Sequence, residues 1–190
     1  MVLEHLHKMN DYTELTKLYD QRGINYFTPA HLTIPFIKQS IVTPVTRILS
    51  LGCGDGRILK EVTHLSLQKI VGVDISSVRI AHAKETVPNA VFYCQEVSSF
   101  LKSCVDQFGA VFIFEVLEHL IDDLEVWELI PKVCPNGFIL GSVPINIPDP
   151  AHLRDFANVQ EISNRYRLTD YRILEKHVYF KHNIRNGTYG

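Results

Sequence analysis

Glu115, Glu118 and His119 stand at positions i, i+3 and i+4, the spacing that puts three side chains on one face of a helix. Two carboxyls and an imidazole gathered there could hold a metal ion or remove a proton, and an imidazole with an ordinary pKa near ~6.5 suits proton transfer near neutrality. A second chemical constellation lies upstream, in Leu49-Ser50-Leu51-Gly52-Cys53-Gly54-Asp55-Gly56 followed by Val71-Gly72-Val73-Asp74. Three alternating glycines close the apolar run Ile48 to Leu51 and precede the helically spaced Arg57-Ile58-Leu59-Lys60-Glu61-Val62, which reads as a strand, a tight turn and a helix. Glycine there opens positive φ and lets backbone approach a ligand closely. Asp74 ends the next apolar run, where a carboxylate can accept hydrogen bonds from both hydroxyls of a ribose; a helix N-cap ahead of Ser76 is its other reading. Together these stretches describe a pocket for a nucleoside-bearing cofactor.

Strands and helices must alternate to position these residues. The apolar periodicity predicts strands near 48–51, 69–73, 90–94, 109–113 and 137–142, with helices near 56–65, 77–86, 97–104 and 117–130 between and after them. Strict alternation implies an α/β fold, a doubly wound, mostly parallel sheet with helices on both faces. Right-handed crossovers then force the glycine turn and Asp74 to the carboxyl edge of the sheet, where ligands sit. Residues 1–46 read as a mainly helical cap, carrying Tyr12, Tyr19, Tyr26 and Phe27 and punctuated by Pro29, Pro35 and Pro44. Residues 47–190 read as the core, and the whole chain, 1–190, as one domain. Near the end, a helix is predicted near 157–166 and a partly alternating strand over Tyr171 to Phe180. Asn183, Asn186, Gly187 and Gly190 make His182 to Gly190 a poor strand, so the last strand is expected to be short, frayed or absent.

Composition bounds the function. At 190 residues the chain is long enough for one well-buried core, and its 46% apolar and 21% charged residues are those of a soluble globular protein. A formal net charge of −2 gives no electrostatic reason to expect nucleic acid as partner. Cys53, Cys94, Cys104 and Cys134 form no Cys-x-x-Cys pair and read as reduced structural thiols. No stretch reaches the ~18 to 20 apolar residues of a membrane span, and Glu4, His5 and His7 interrupt any signal-peptide core, so the expected location is the cytoplasm. The oligomeric state is not legible.

A dinucleotide fingerprint, Gly-x-Gly-x-x-Gly, would place its third glycine at Arg57; here that glycine comes one residue early. Gly-x-Gly-x-Gly with an acid at the next strand end resembles the class I S-adenosylmethionine-dependent methyltransferases. Leu49 to Gly56 and Gly72-Val73-Asp74-Ile75-Ser76 look like that family's first two motifs. Ala110 to Leu120 is similar to its fourth strand and following helix, and Pro135 to Pro144 to its turn and fifth strand. The resemblance implies a Rossmann-like fold closed by an antiparallel pair of strands, and S-adenosylmethionine as cofactor. It further implies that the backbone of Gly52, Cys53 and Gly54 meets the methionine end, Asp74 the ribose, Ile75 the adenine ring, and Glu96 and Val97 the adenine amino edge, where aspartate is more usual than Glu96. Gly56 and Phe114 complete the implied cofactor site.

Glu-x-x-Glu-His also resembles a segment of ubiquinone-pathway O-methyltransferases and of small-RNA 3'-terminal 2'-O-methyltransferases, which implies a divalent metal held with a further histidine. The ligands would then be Glu115, Glu118, His119 and His152. Metal-free relatives carry the same Glu-His-Leu start, with the glutamate capping backbone amides and the histidine packing under the substrate, so both readings stand. The implied activity is methyl transfer to a small-molecule acceptor, at oxygen, with His119 and Glu115 beside the transferring methyl. The alternatives are a metal-assisted RNA 2'-O-methyltransferase and a non-catalytic cofactor-binding regulatory subunit. Phe114-Glu115-Val116-Leu117 stands where base-directed amino methyltransferases carry Asn/Asp-Pro-Pro-Tyr, which argues against base N-methylation. Val143-Pro144-Ile145-Asn146 and His152-Leu153-Arg154-Asp155-Phe156 are expected to face the acceptor. Arg154 either reads a carboxylate or phosphate there, or pairs with Asp155 or caps the helix that follows. Residues 1–46 would form a lid over the acceptor or a dimer interface.

Overall fold

The computed structural model describes residues 12–24, 29–42 and 44–189; residues 1–11, Tyr26, Phe27 and Gly190 lie outside them. Two helices, α1 (Thr13–Arg22) and α2 (Ala30–Ser40), precede the sheet. Then follow β1 (Arg47–Leu51), α3 (Arg57–Lys60), β2 (Lys69–Asp74), α4 (Ser77–Thr86), β3 (Val91–Cys94), α5 (Val97–Ser103) and β4 (Ala110–Phe114). A short 3-10 turn (Leu117–His119), α6 (Asp123–Val133), β5 (Phe138–Pro144), α7 (Val159–Tyr166), β6 (Tyr171–Leu174), β7 (His177–Arg185) and β8 (Thr188–Tyr189) complete the chain. The sheet order is β3-β2-β1-β4-β5-β7-β6, with β8 pairing with β7.

The pairs β3-β2, β2-β1, β1-β4 and β4-β5 are parallel, and the reversal of strand order between β1 and β4 creates the crevice at their carboxyl ends. Strands covered on both faces read as continuous apolar runs, and β4 and β5 are buried at every position. Side-chain alternation divides the core in two. Leu49, Val71, Val111 and Ile139 pack under α5, α6 and α7, whereas Ile48, Ile70, Phe112 and Leu140 pack against α2, α3 and α4. The expected doubly wound α/β, Rossmann-like sheet is present, and no helix among the described residues is long and apolar enough to cross a membrane.

Three elements differ from the sequence expectation. The helix predicted near 56–65 stops at Lys60, because Glu61, Val62 and Thr63 donate to Ile58, Leu59 and Lys60, three residues back, and the Thr63 hydroxyl also bonds Lys60 O. The helix predicted near 117–130 is broken into the 3-10 turn and α6. There the guanidinium of Arg154 takes the carbonyls of Leu117, Leu120 and Ile121, and Ile121 N donates to the Tyr12 hydroxyl, so those backbone groups serve tertiary partners. The single strand predicted over Tyr171 to Phe180 is two, β6 and β7, while the last strand, β8, is short, as expected, at two residues. β7 pairs with β5 over seven positions, from Phe138↔Asn183 to Pro144↔His177, and with β6 on its other side. Asn186 and Gly187, at φ 52° and 72°, make the two-residue turn into β8 that favours such residues.

Candidate active site

The turn after β1 delivers Gly52 to the mouth of the crevice at φ 64°, and a Cβ there would lie 2.4 Å from Val116 Cγ2. Only glycine fits both the conformation and the space. Gly56, at φ 79°, starts α3, and a Cβ on it would press to 3.3 Å from the backbone of Ala83 in α4. Asp74 is buried and fastens this turn to the next one: Oδ2 accepts from Gly54 N at 2.9 Å and Oδ1 from Ser76 N at 2.9 Å. Burial raises its pKa, against the lowering pull of the Ser76 amide, Arg79 and the Gly54 amide. A carboxylate offers four lone-pair positions, so two accepted bonds leave capacity facing the cleft. Ser76 caps α4, accepting from Arg79 N, and donates from its hydroxyl to Asp20 of α1 at 2.6 Å. Arg79 donates to Gly23 O and lies 4.7 Å from the ring centroid of Tyr19, so α1 is docked across the cleft.

Past β4 the cleft is lined by acids and imidazoles. Glu115 sits at φ 54°, an uncommon conformation for a side-chain-bearing residue. The Ser142 hydroxyl donates to its Oε1 at 2.6 Å, and its Oε2 lies 3.4 Å from His177 Nε2. Burial pushes the Glu115 carboxyl up to about 7, with the Ser142 hydrogen bond pulling the other way. Glu118, His119 and His152 form a separate group whose ligating atoms lie within 4.8 Å of one another. His119 Nδ1 is 2.8 Å from the Ala151 carbonyl, which can only accept, so Nδ1 carries the hydrogen and Nε2 is left as a lone pair. His152 Nδ1 faces Asp155 Oδ1 at 3.1 Å. Both Glu118 carboxyl oxygens are buried without a hydrogen-bond partner, and burial followed by the Glu115 charge raises this carboxyl well above the usual range. Burial, then His152, lowers His119 to about 4, so its imidazole is neutral at pH 7.

One cleft joins the two regions, lined by Gly52, Gly54, Asp74, Ile75, Glu96 and Val97 at one end and by Phe114, Glu115, Glu118, His119, His152 and His177 at the other. A family model described as a methyltransferase domain matches residues 48–135. Over those residues the chain is similar to a methyltransferase domain. Among curated proteins, the chain is 28% identical over 128 residues to the ubiquinone biosynthesis O-methyltransferase of Hahella chejuensis, covering 63% of this chain and 53% of that protein. It is 29% identical over 164 residues to the trans-aconitate 2-methyltransferase of an Enterobacter species, covering 79% of this chain and 59% of that one. The chain thus spans a little over half the length of these two curated relatives. The N-methyltransferase NodS of Bradyrhizobium japonicum, solved with S-adenosylhomocysteine, superposes with a TM-score of 0.65 at 14% identity, covering 94% of each chain, which shows a shared fold.

The cofactor of class I methyltransferases is S-adenosylmethionine, and the residues present fit it: a Cβ-free approach at Gly52, a carboxylate with spare acceptor capacity at Asp74, and apolar Ile75 and Val97 beside it. Cys53 and Gly56 do not line the cleft. The Cys53 N–H is taken by Val73 O and its carbonyl by Gly56 N, while its Sγ would lie 2.8 Å from a Cβ placed on Gly72 of β2. Glu96 lines the cleft with its carboxylate accepting from Ser98 and Ser99 hydroxyls at 2.5 and 3.0 Å.

The expected shared helical face of Glu115, Glu118 and His119 does not exist. β4 ends at Phe114, Glu115 turns left-handed, and the four-residue metal set divides into Glu118, His119 and His152 on one side and Glu115 on the other. Arg154 does not line the cleft either; it clamps the carbonyls after the 3-10 turn and pairs with Asp123 at 2.9 Å, while Asp155 pairs with His152. Of the expected acceptor segment, Pro144 and His152 reach the cleft, joined by Ile147 and Asp149. The lining residues also include Tyr12, Tyr19 and Arg22, of which the sequence named the two tyrosines only as part of the aromatic N-terminal segment, and His177, which it missed. Positions 12, 15, 19 and 22 form one helical stripe, a signal present in the sequence. Nothing in the local pattern marked His177, which reaches Glu115 only because β7 inserts beside β5.

Proposed function

We propose that this protein is a methyltransferase that transfers the methyl group of S-adenosylmethionine to an oxygen of a small-molecule acceptor, with Glu115 as proton acceptor. The observation that carries the reading is the single cleft running from Asp74 and the glycine turn to a buried carboxyl held at about 7. When bound, the cofactor supplies an electrophilic methyl on a sulfonium whose thioether leaves readily, so the protein's task is alignment and proton removal. Asp74 holds the ribose, Gly52 and Gly54 admit the methionine end, Ile75 and Val97 flank the adenine, and Glu96 meets its amino edge. Phe114 forms the floor at the methyl. Glu115, with a pKa near the working pH, takes the acceptor proton, and neutral His119 borders the acceptor. Residues 1–46 act as the cap, supported by Tyr12, Tyr19 and Arg22 at the cleft wall. Both curated relatives described above are named for methylation of small molecules, which supports that acceptor class over RNA. Four free cysteines agree with a reducing compartment, the cytoplasm.

The test is thermal unfolding with S-adenosylmethionine, S-adenosylhomocysteine and NAD, followed by labelled methyl transfer to a panel of hydroxylated acids and phenols. A ligand at 100 times its Kd stabilises the fold by about 2.7 kcal/mol. A shift with the adenosyl ligands and label on an acceptor oxygen support the reading. A shift with NAD alone, or turnover only after a partner chain is added, overturns it in favour of a dinucleotide enzyme or a regulatory subunit.

A divalent cation at Glu118, His119 and His152 is a second reading, favoured by one observation: a fully buried carboxylate with both oxygens unpartnered beside two imidazoles whose Nδ1 atoms are engaged by Ala151 O and Asp155. Such outer partners orient histidine ligands in metal sites. The cation would act there as a Lewis acid toward an acceptor oxygen. Metal analysis of protein purified without chelator, and of His119→Ala, decides the point. Stoichiometric metal lost in the variant supports the site, and equal, substoichiometric metal in both removes it.

A further inference from the structure

We propose that His177 is the positioning residue for Glu115, sharing with it the proton taken from the acceptor and fixing the carboxylate oxygen that receives it. The proposal deepens the methyl-transfer reading above and rests on Glu115 being its proton acceptor. Glu115 Oε1 is committed to the Ser142 hydroxyl. Ser142 is itself fixed, opposite Tyr179 in the β5-β7 ladder, and the Tyr179 phenol is tied to the Thr33 hydroxyl of α2 at 2.9 Å. The second oxygen, Oε2, has His177 Nε2 at 3.4 Å. His177 is 3% exposed, lines the cleft, and its Nδ1 has no hydrogen-bond partner. A buried imidazole whose polar contact points at one carboxylate oxygen is costly unless that contact is used. The second sign is the place of the Glu115 carboxylate: its backbone is left-handed at the end of β4, and its two oxygens lie against Ser142 of β5 and His177 of β7.

The chemistry balances. As the new O–C bond forms, the acceptor O–H bond breaks and its proton passes to Glu115 Oε2, while the electrons of the cleaved C–S bond stay on sulfur. The proton is then shared between Oε2 and Nε2 until it leaves to solvent. The other titratable groups facing the pair are Glu118 after β4, Tyr179 on β7, and the His31 and Glu175 ion pair, 3.1 Å apart, on the α2 side. Burial lowers His177, so its imidazole is neutral in the resting pair.

The experiment is an NMR pH titration of protein labelled with nitrogen-15 in its histidine rings, free of cofactor and acceptor, with the His177 signal assigned by His177→Gln. Two interacting groups titrate as a pair. The His177 resonance is therefore expected to carry a step at the Glu115 midpoint, about 7, that disappears in Glu115→Gln. Should His177→Gln fail to fold, Ser142→Ala serves in its place: loss of a hydrogen bond that lowers Glu115 moves the same step to higher pH. A His177 titration indifferent to both variants overturns the proposal. With an acceptor in hand, His177→Gln lowers kcat about 10-fold with acceptor KM within about twofold of wild type. An unchanged kcat with a raised KM would also overturn it. Absence of turnover on every acceptor counts against the methyl-transfer reading alone, because the titration reads the pair without catalysis.

Discussion

The Asp74 carboxylate accepts the backbone N–H of Gly54 across the crevice at 2.9 Å, while its other oxygen accepts from Ser76. One side chain therefore holds the glycine turn after β1 in register with the start of α4, and still faces the cleft. Support of the turn and the ribose role proposed above would rest on the same two oxygens. Asp74→Ala is expected to lose both. It leaves two buried amides unpaired, costing about 1–3 kcal/mol of unfolding free energy, and it abolishes the stabilisation given by S-adenosylhomocysteine. Calorimetric titration and urea unfolding measure the two losses separately. Asp74→Asn, which keeps an acceptor oxygen, falls between; retained binding in Asp74→Ala would remove the ribose role.

Arg154 is a clamp in this structure. Its guanidinium meets the carbonyls of Leu117, Leu120 and Ile121 and lies 2.9 Å from the buried Asp123, which also pairs with Arg165 and Tyr166. Arg154→Met is expected to destabilise the fold by about 2–3 kcal/mol, since several buried acceptors lose their donor. The unfolding shift induced by S-adenosylhomocysteine should survive, as the Asp74 turn is elsewhere. Normal stability together with a raised acceptor KM would point instead to an acceptor-binding arginine.

Glu115 makes stability depend on pH with a definite sign. Its carboxyl rises from 4.5 in the unfolded chain to about 7 in the fold, so between those values the native state binds more protons than the unfolded one. Its contribution is complete below pH 4.5 and is lost as pH rises through about 7. Glu115→Gln is therefore expected to gain stability relative to wild type as pH rises across this window. His119 acts oppositely: lowered from 6.5 to about 4, it contributes stability above 6.5 that is lost as pH falls through 4. Chemical unfolding of both variants in EDTA, at several pH values, should give difference curves of opposite slope; parallel curves would contradict the burial of one of the two.

Pro131 lies inside α6 and is buried, and the Trp127 carbonyl four residues back, which a proline cannot serve, accepts from the Tyr189 hydroxyl of β8. The Tyr189 ring stacks on Trp127 at 5.0 Å. Tyr189→Phe keeps the stacking and removes the donor, so a loss of about 1 kcal/mol is expected. Urea unfolding followed by Trp127 fluorescence reads it, and an unchanged midpoint would mean that the carbonyl is otherwise satisfied.

Much of this molecule was legible before any coordinates. The apolar runs at 48–51, 69–73 and 109–113 are strands because a parallel sheet covered on both faces leaves no polar side to interrupt them, and Gly52 and Asp74 follow from their ends. The helical stripe of α1 was also written in the chain, at Tyr12, Leu15, Tyr19 and Arg22, although only the aromatic content drew notice. What failed was the helix after β4. Residues 117–122 have helical spacing, yet their carbonyls are claimed by Arg154, 33 residues beyond Ile121 in the chain, and no local rule records that competition.

The strands of the parallel sheet, the crevice and the position of the glycine turn were therefore set by short-range patterns: periodicity of two or 3.6, glycine at forced conformations, and the handedness of crossovers. The partition of the acidic cluster was decided only in three dimensions. Glu118 and His119 meet His152 because the loop after β5 hydrogen-bonds back to the Glu118 carbonyl, and Glu115 meets His177 because β7 inserts antiparallel between β5 and β6. Side chains separated by 33 and 62 residues are brought together by backbone hydrogen bonds of a loop in one case and of the sheet in the other, and spacing along the chain carries no information about such contacts.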